Sequence, residues 1–269
     1  MRILLKGISQ SGDAIPIPAG YHETIITPKA SRKIEAFWSF TAQSSGQSLV
    51  LPDGRCDVIL RGNSETHQPP VPVITGPATQ AYTVTFEKGD RWIGARMRPE
   101  NGKLLWAHRI GEVTNTVARA DAALDLFPAL SKVVQAGFSM SALTLAIDIL
   151  TGAQEAQRQD QRLLRAVDII HITGGRVRVD ALAHQVGCSS RNLTRLFRAN
   201  IGLAPKPYAQ LVQFHRGLHL IQKGRLALAP AAFEAGFADH AHLTRAFRKY
   251  AGLLPSKIPQ DLSAPQLFA

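Results

Sequence analysis

The sequence predicts an α+β protein: a β-rich domain over residues 1–115, a helical connector over 116–157, and an all-α domain over 158–269 built from two helix-turn-helix units. Three observations predict it. A thirteen-residue segment, Leu193 to Pro205, returns fifty residues later as Leu243 to Pro255 with eight identical positions, and each copy follows a short amphipathic stretch and a glycine, Gly187 or Gly236. The positive charge is lopsided: residues 158–261 hold 16 Lys/Arg against 6 Asp/Glu, a net +10, while residues 1–157 hold 15 against 14, a net +1. Residues 20 to about 100, by contrast, show short apolar or alternating runs punctuated by turn formers, the pattern of an antiparallel sandwich or barrel.

In the first domain, Ser48–Leu51, Cys56–Leu60, Thr83–Phe86 and Trp92–Met97 read as strands, separated by Pro52-Asp53-Gly54, Gly62-Asn63 and Lys88-Gly89-Asp90. The run Gln68-Pro69-Pro70-Val71-Pro72 reads as a loop. From Val117 the pattern turns helical, with Ala122, Leu126, Leu130, Val133 and Val134 on one face and Leu143, Ala146, Ile147 and Leu150 on another. These helices either close the first domain or form a dimer seam. The polar stretch Gln154–Gln161 marks a boundary, and Leu163, Leu164, Val167 and Ile170 open a helix that Gly174-Gly175 ends.

In the first unit, Val179, Leu182, Ala183 and Val186 share an apolar face before Gly187, Ser189 caps the next helix, and Leu193, Leu196, Phe197 and Ile201 point inward. Ser190, Arg191, Thr194, Arg195 and Arg198 are left outside. In the second, Leu228, Ala232 and Phe233 precede Gly236, Asp239 is the cap, and Leu243, Ala246, Phe247 and Tyr250 face in. His240, Ala241, Thr244, Arg245 and Arg248 face out. Tyr208, Leu211, Phe214, Leu218 and Ile221 form the stripe of a helix between the units. An arginine near the start of an exposed helix suits the major groove because its fork bonds guanine O6 and N7 together.

At these residues the last hundred positions resemble the DNA-binding domain of the AraC/XylS family of bacterial transcription regulators. The resemblance rests on Ala183, Gly187, Leu193, Phe197, Gly202-Leu203-Ala204-Pro205 and Tyr208, and above all on Gly236 to Arg248 with Gly252-Leu253-Leu254-Pro255. It implies two recognition helices on one face of duplex DNA, with base contacts from Arg191, Thr194, Arg195, His240, Ala241, Thr244 and Arg245. Ser190, Arg198, Lys206, Arg248 and Lys249 are the expected phosphate contacts. The family usually has an arginine at the place of Gln213, an alanine at Gly217 and often a glutamine at His240. Those departures imply one family salt bridge fewer and a weaker connecting helix. Through Phe37-Trp38-Ser39, Leu51-Pro52-Asp53-Gly54, Thr75-Gly76-Pro77 and Gly94 to Pro99, the first domain resembles the N-terminal domain of one AraC-like branch, which implies a cupin-like regulatory fold. Trp38, Asp53 and Arg55 are candidates to line a pocket there.

The function expected is a sequence-specific transcription regulator, with promoter duplex as partner and RNA polymerase, a small-molecule effector and a second copy of the chain as further candidates. The rivals are an alkyl-transfer repair enzyme that carries the same reader and a nonspecific architectural protein. A repair enzyme of that kind needs a cysteine cluster, and Cys56 and Cys188 stand alone. His215 and His219, at i and i+4, lack a third ligand, so neither a metal nor a cofactor is expected, nor catalysis. No apolar run approaches the roughly 20 residues of a membrane helix, and a cytoplasmic protein is expected.

Overall fold

The computed structural model describes residues 3–4, 20–66, 68–152, 159–222 and 227–258. The N-terminal half is built on an antiparallel sheet in the order β1-β9-β6-β5-β8-β3-β2, comprising β1 (Ile3–Leu4), β2 (Tyr21–Ile25), β3 (Ile34–Thr41), β5 (Asp57–Asn63), β6 (Val71–Thr75), β8 (Asp90–Met97) and β9 (Thr116–Arg119). A two-stranded ribbon of β4 (Gly46–Val50) and β7 (Tyr82–Phe86) faces it. Alternation along the strands sets what each face does. On β5 and β8 one alternating series, Val58, Leu60, Ile93, Ala95 and Met97, packs under helices, while Asp57, Ile59, Arg61, Trp92 and Arg96 face the ribbon.

The helical layer comprises α1 (Gly102–Trp106), α2 (Asp121–Leu126), α3 (Ser131–Gln135) and α4 (Met140–Thr151). Leu143, Ala146, Ile147 and Leu150 of α4 are buried in one core with Val58, Leu60, Ile74 and Met97. Their apolar face therefore closes the first domain and is not available as a dimer seam. The connector begins differently from the sequence expectation: Val117 lies in β9, which pairs antiparallel with β6 through Val73↔Arg119, Ile74↔Ala118 and Thr75↔Val117. A partner more than forty residues away supplies hydrogen bonds that local periodicity does not reveal. The next expected stripe breaks at Phe127-Pro128; Leu130 and Val133 are buried, but Leu126 is exposed.

Residues 71 and 72 correct the loop expected at the proline run, since both belong to β6. Pro72 directs its carbonyl to Ala120 N, 3.1 Å away, at the point where β9 ends, so its missing N–H falls where no further ladder bond is due.

The C-terminal half contains α5 (Gln161–Ile172), α6 (Val179–Gln185), α7 (Ser190–Asn200), α8 (Pro205–Gln222), α9 (Leu228–Glu234) and α10 (His240–Ala251). The expected inward residues Leu182, Ala183, Val186, Leu193, Leu196, Phe197, Ile201, Leu243, Phe247 and Tyr250 are all buried. Phe233 is not: it is 81% exposed, and Ala231, Ala232, Ala235 and Phe237 fill the space beneath α9. The boundary stretch at 153–158 lies outside the described residues.

The two halves share a core. Leu49, Leu51 and Ala81 from the ribbon side join Leu203, Tyr208, Leu211 and Tyr250 in one cluster. The β4–β5 loop is one contact between them: a Cβ on Gly54, whose φ is +71°, would stand 3.2 Å from both Leu203 and Leu211. Beside it, His215 donates from Nε2 to Pro52 O at 2.7 Å, and Ala81 N donates to Tyr250 O at 3.0 Å. Burial holds the His215 ring down to about 4, so it is the neutral imidazole that makes this bond. Its Nε2 is thus committed to the domain contact rather than to a pairing with His219.

Candidate nucleic-acid interface

Each recognition helix begins with a side-chain cap on its free backbone donors. Ser189 Oγ accepts from Asn192 N at 3.2 Å ahead of α7, and Asp239 Oδ1 accepts from His242 N at 2.6 Å ahead of α10. The latter bond and the charge of Arg245 hold the Asp239 carboxyl below its usual range. Before each helix the chain reverses at a glycine of positive φ, +73° at Gly187 and +80° at Gly236. The same offset of six residues separates the cap from the first shared arginine in both copies, Ser189 from Arg195 and Asp239 from Arg245, which is the structural meaning of the sequence repeat.

Outside the two helices lie the side chains expected to read DNA. Arg191, Arg195, His240 and Arg245 are exposed, and Thr194, Ala241 and Thr244 are half-buried between them. Ser190, Arg198, Lys206, Arg248 and Lys249 are also exposed. Arg195 Nη2 donates to Asn192 Oδ1 at 2.8 Å, which steadies the guanidinium along the first turn of α7. Thr194 Oγ1 donates to Ser190 O and Thr244 Oγ1 to His240 O, each at 2.8 Å. With both hydroxyls committed to the backbone, the methyl group is what each threonine offers a base. Lys249 Nζ stands 4.7 Å from the Tyr250 ring centroid, so its stem is laid along the end of α10.

Two of the three departures from the family pattern, at Gln213 and Gly217, have a local account. Gln213 Nε2 donates to Ala235 O at 3.2 Å and to Gly236 O at 2.7 Å, tying α8 to the turn of the second unit by neutral hydrogen bonds. At Gly217 a Cβ would meet Phe237 Cε2 at 3.3 Å and Leu243 and Phe247 at 3.6 Å, so the glycine relieves a tight crossing of aromatic and aliphatic side chains on α8. Gln213 was named in the sequence only as a departure; its capping of the turn required the neighbouring carbonyls to be seen.

The first domain contains a cavity of about 480 Å³ between the sheet and the ribbon. Trp38, Asp53 and Arg55, the three candidates from the sequence, all line it, together with Asp57, Arg96 and aromatic rings of Tyr21, Phe40, Tyr82, Phe86 and Trp92. Arg55 is fully buried in a two-pronged pair with Glu35, through Nε and, at 2.9 Å, through Nη2. Asp57 and Arg96 were missed. Their signal was a charged residue inside an otherwise apolar strand. Cys56 is also buried, and desolvation lifts its thiol well above the usual range, which denies it the thiolate a nucleophile needs.

Among the described residues no helix is long and apolar enough to cross a membrane. A family model described as a helix-turn-helix domain matches residues 182–260, and one described as a domain of unknown function matches residues 27–119. The chain is 30% identical over 95 residues to the Msm operon regulatory protein of Streptococcus mutans, covering 35% of this chain and 34% of that protein. It is 31% identical over 85 residues to the HTH-type transcriptional activator RhaS of Escherichia fergusonii, covering 32% and 31%. The chain thus spans about a third of the length of these curated relatives. Among solved structures, an AraC-type regulator from Chromobacterium violaceum aligns with TM-score 0.34 and 24% identity over 37% of this chain and 88% of the other. ToxT from Vibrio cholerae aligns with TM-score 0.44 and 8% identity over 88% and 97%.

Proposed function

We propose that residues 182–260, which match a helix-turn-helix family model, are a DNA reader of the AraC/XylS type, and that the chain is a sequence-specific transcription regulator whose two recognition helices enter successive major-groove segments of a promoter. The observation that carries this reading is the matched pair of outer faces, Thr194-Arg195 with Arg198 and Thr244-Arg245 with Arg248, on two equally capped and exposed helix starts. Arg191, Thr194, Arg195, His240, Ala241, Thr244 and Arg245 meet base edges; Ser190, Arg198, Lys206, Arg248 and Lys249 meet phosphates. The regulator works in the cytoplasm, beside RNA polymerase. Its first domain, the sheet including β9 with the helices α1 to α4 packed on it, senses a small molecule in the cavity and passes the signal through the Pro52–Arg55 loop to α8.

The test is DNA binding by the full chain at rising salt. Four exposed phosphate-facing cations, Arg198, Lys206, Arg248 and Lys249, predict a log–log slope near −3.6, a loss of roughly a hundredfold between 50 and 200 mM salt. Binding that is absent at low salt, or indifferent to salt, contradicts the reading.

A further inference from the structure

The cavity has an uneven charge at its inner end. Arg96 is buried there and reaches Glu23 with Nη1 at 2.8 Å and Nη2 at 3.4 Å, while its Nε stands 3.3 Å from Asp53 Oδ2 without a hydrogen bond. Asp53 Oδ1 is taken by Arg55 N at 2.9 Å, and Asp57 Oδ1 by Trp38 Nε1 at 2.9 Å. Three carboxylates, Glu23, Asp53 and Asp57, therefore meet one guanidinium. Arg55 does not restore the balance, because Glu35 and the Asp53 carbonyl occupy its donors. Nearer the rim, Arg61 is paired with Asp90 at 2.7 Å, and Arg119 is exposed to solvent, where its field is screened.

Tyr21 and Trp38 line the cavity near this acidic end, and Phe40, Phe86 and Trp92 line it further along, toward Arg61. Trp38 lies flat over Gly94, where a Cβ would come within 2.2 Å of its indole, and Phe40 stacks on Trp92 with centroids 5.1 Å apart. Trp92 already holds the Arg61 guanidinium 5.2 Å from its ring centroid, so the wall is one that accommodates positive charge and gives its area to an apolar body. An anion entering the same space would meet Asp53 and Asp57 in a poorly solvated pocket.

We propose that the cavity binds an organic cation, a protonated amine on an aromatic or aliphatic body, whose ammonium donates to Asp53 and Asp57 and whose body lies among the aromatic rings. The proposal rests on the reading of the first domain as a sensor and adds the class of ligand. Desolvation and the Asp53 and Glu23 carboxylates push the Asp57 carboxyl up to about 7 against the pull of Arg96, so an ammonium supplies the positive charge this end lacks. Asp53 also belongs to the loop whose Pro52 and Gly54 hold α8, which puts the ligand head next to the contact between the two halves.

The experiment uses the full chain at pH 8 with three matched sets of probes, each an amine, an alcohol and a carboxylate on one body: phenethyl, cyclohexylethyl and naphthylmethyl. Thermal shift and calorimetry are the readouts. The amine of at least one set should raise Tm and bind at least tenfold more tightly than its alcohol, with its carboxylate weaker still. Asp57→Asn keeps an acceptor for Trp38 and removes a desolvated charge. It should raise the Tm of the unliganded chain, yet weaken the amine at least tenfold and leave the alcohol unchanged. Carboxylates that equal or exceed the amines, no amine binding in any set, or an Asp57→Asn chain that binds amines as the parent does would each overturn the proposal. DNA binding is measured separately on the unliganded chain: loss of that result removes the regulator reading, whereas loss of amine binding alone removes only the ligand class.

Discussion

Phe214→Ala should destabilise the C-terminal half by about 3–5 kcal/mol, a large part of the roughly 5–15 kcal/mol that holds an ordinary domain folded. Phe214 is completely buried on α8, with its ring 5.0 Å from Phe247 edge-on and 5.4 Å from Tyr250. Removing it opens a cavity at the point where the connecting helix and the second recognition helix meet. It also deletes two aromatic pairs, each contributing about 0.5–1.5 kcal/mol beyond buried area. Phe233→Ala is the internal control. Its ring is 81% exposed, so the same substitution should change stability by no more than about 0.5 kcal/mol. Urea unfolding of the two variants separates these sites; equal losses would mean that the packing beneath α9 and α10 is misassigned.

The second large effect concerns which arginines read bases. Arg195 stands one turn into α7 beside Thr194 and is steadied by Asn192, so Arg195→Ala should cost about 1–3 kcal/mol at the preferred site and flatten preference at one or two base pairs. Arg198 lies nearly a turn further along the helix and should meet the backbone. Arg198→Ala should therefore weaken all sequences alike and reduce the salt slope by about 1. Competition of each variant against random duplex distinguishes the two kinds of loss. Equal weakening of specific and random DNA by Arg195→Ala would move that residue from the base-reading to the phosphate-holding set.

The parts of this molecule that were legible in the sequence are those whose physics is local. A cap, a turn glycine and an i, i+3, i+4 stripe lie within one helix-turn-helix, so Ser189, Gly187 and Leu193 announce each other, and the second copy repeats the message at Asp239, Gly236 and Leu243. The exposed faces follow by exclusion. Val117 was misjudged because a four-residue strand is defined by its partner, β6, and four residues carry too little periodicity to oppose a neighbouring alanine-rich stretch. That Phe233 points to solvent was not legible, because α9 is short and its alanines, small enough to seat against α8, fill the core in place of the large ring. The cavity was the least legible element. Asp57 and Arg96 are single residues on strands that pair in register, and only the pairing of Asp57 with Arg96 across β5 and β8 brings their charges together.

The pairing of the halves was not legible either. Leu51-Pro52-Asp53-Gly54 reads as a strand end and turn, yet it covers Leu203, Tyr208 and Leu211 on the helical side. That loop is the shortest described route from the cavity wall to α8, and it places the sensing proposal and the reading proposal on one piece of chain.

The central claim, that one chain reads two successive major-groove segments, is tested most directly by selecting bound sequences from random duplex DNA with the full chain. The account predicts a bipartite motif whose two halves lie about one helical turn, roughly 34 Å, apart, with Arg195→Ala flattening preference at one or two base pairs of one half and Arg245→Ala doing so in the other. Enrichment of a single uninterrupted half-site, or of no sequence at all, would contradict it.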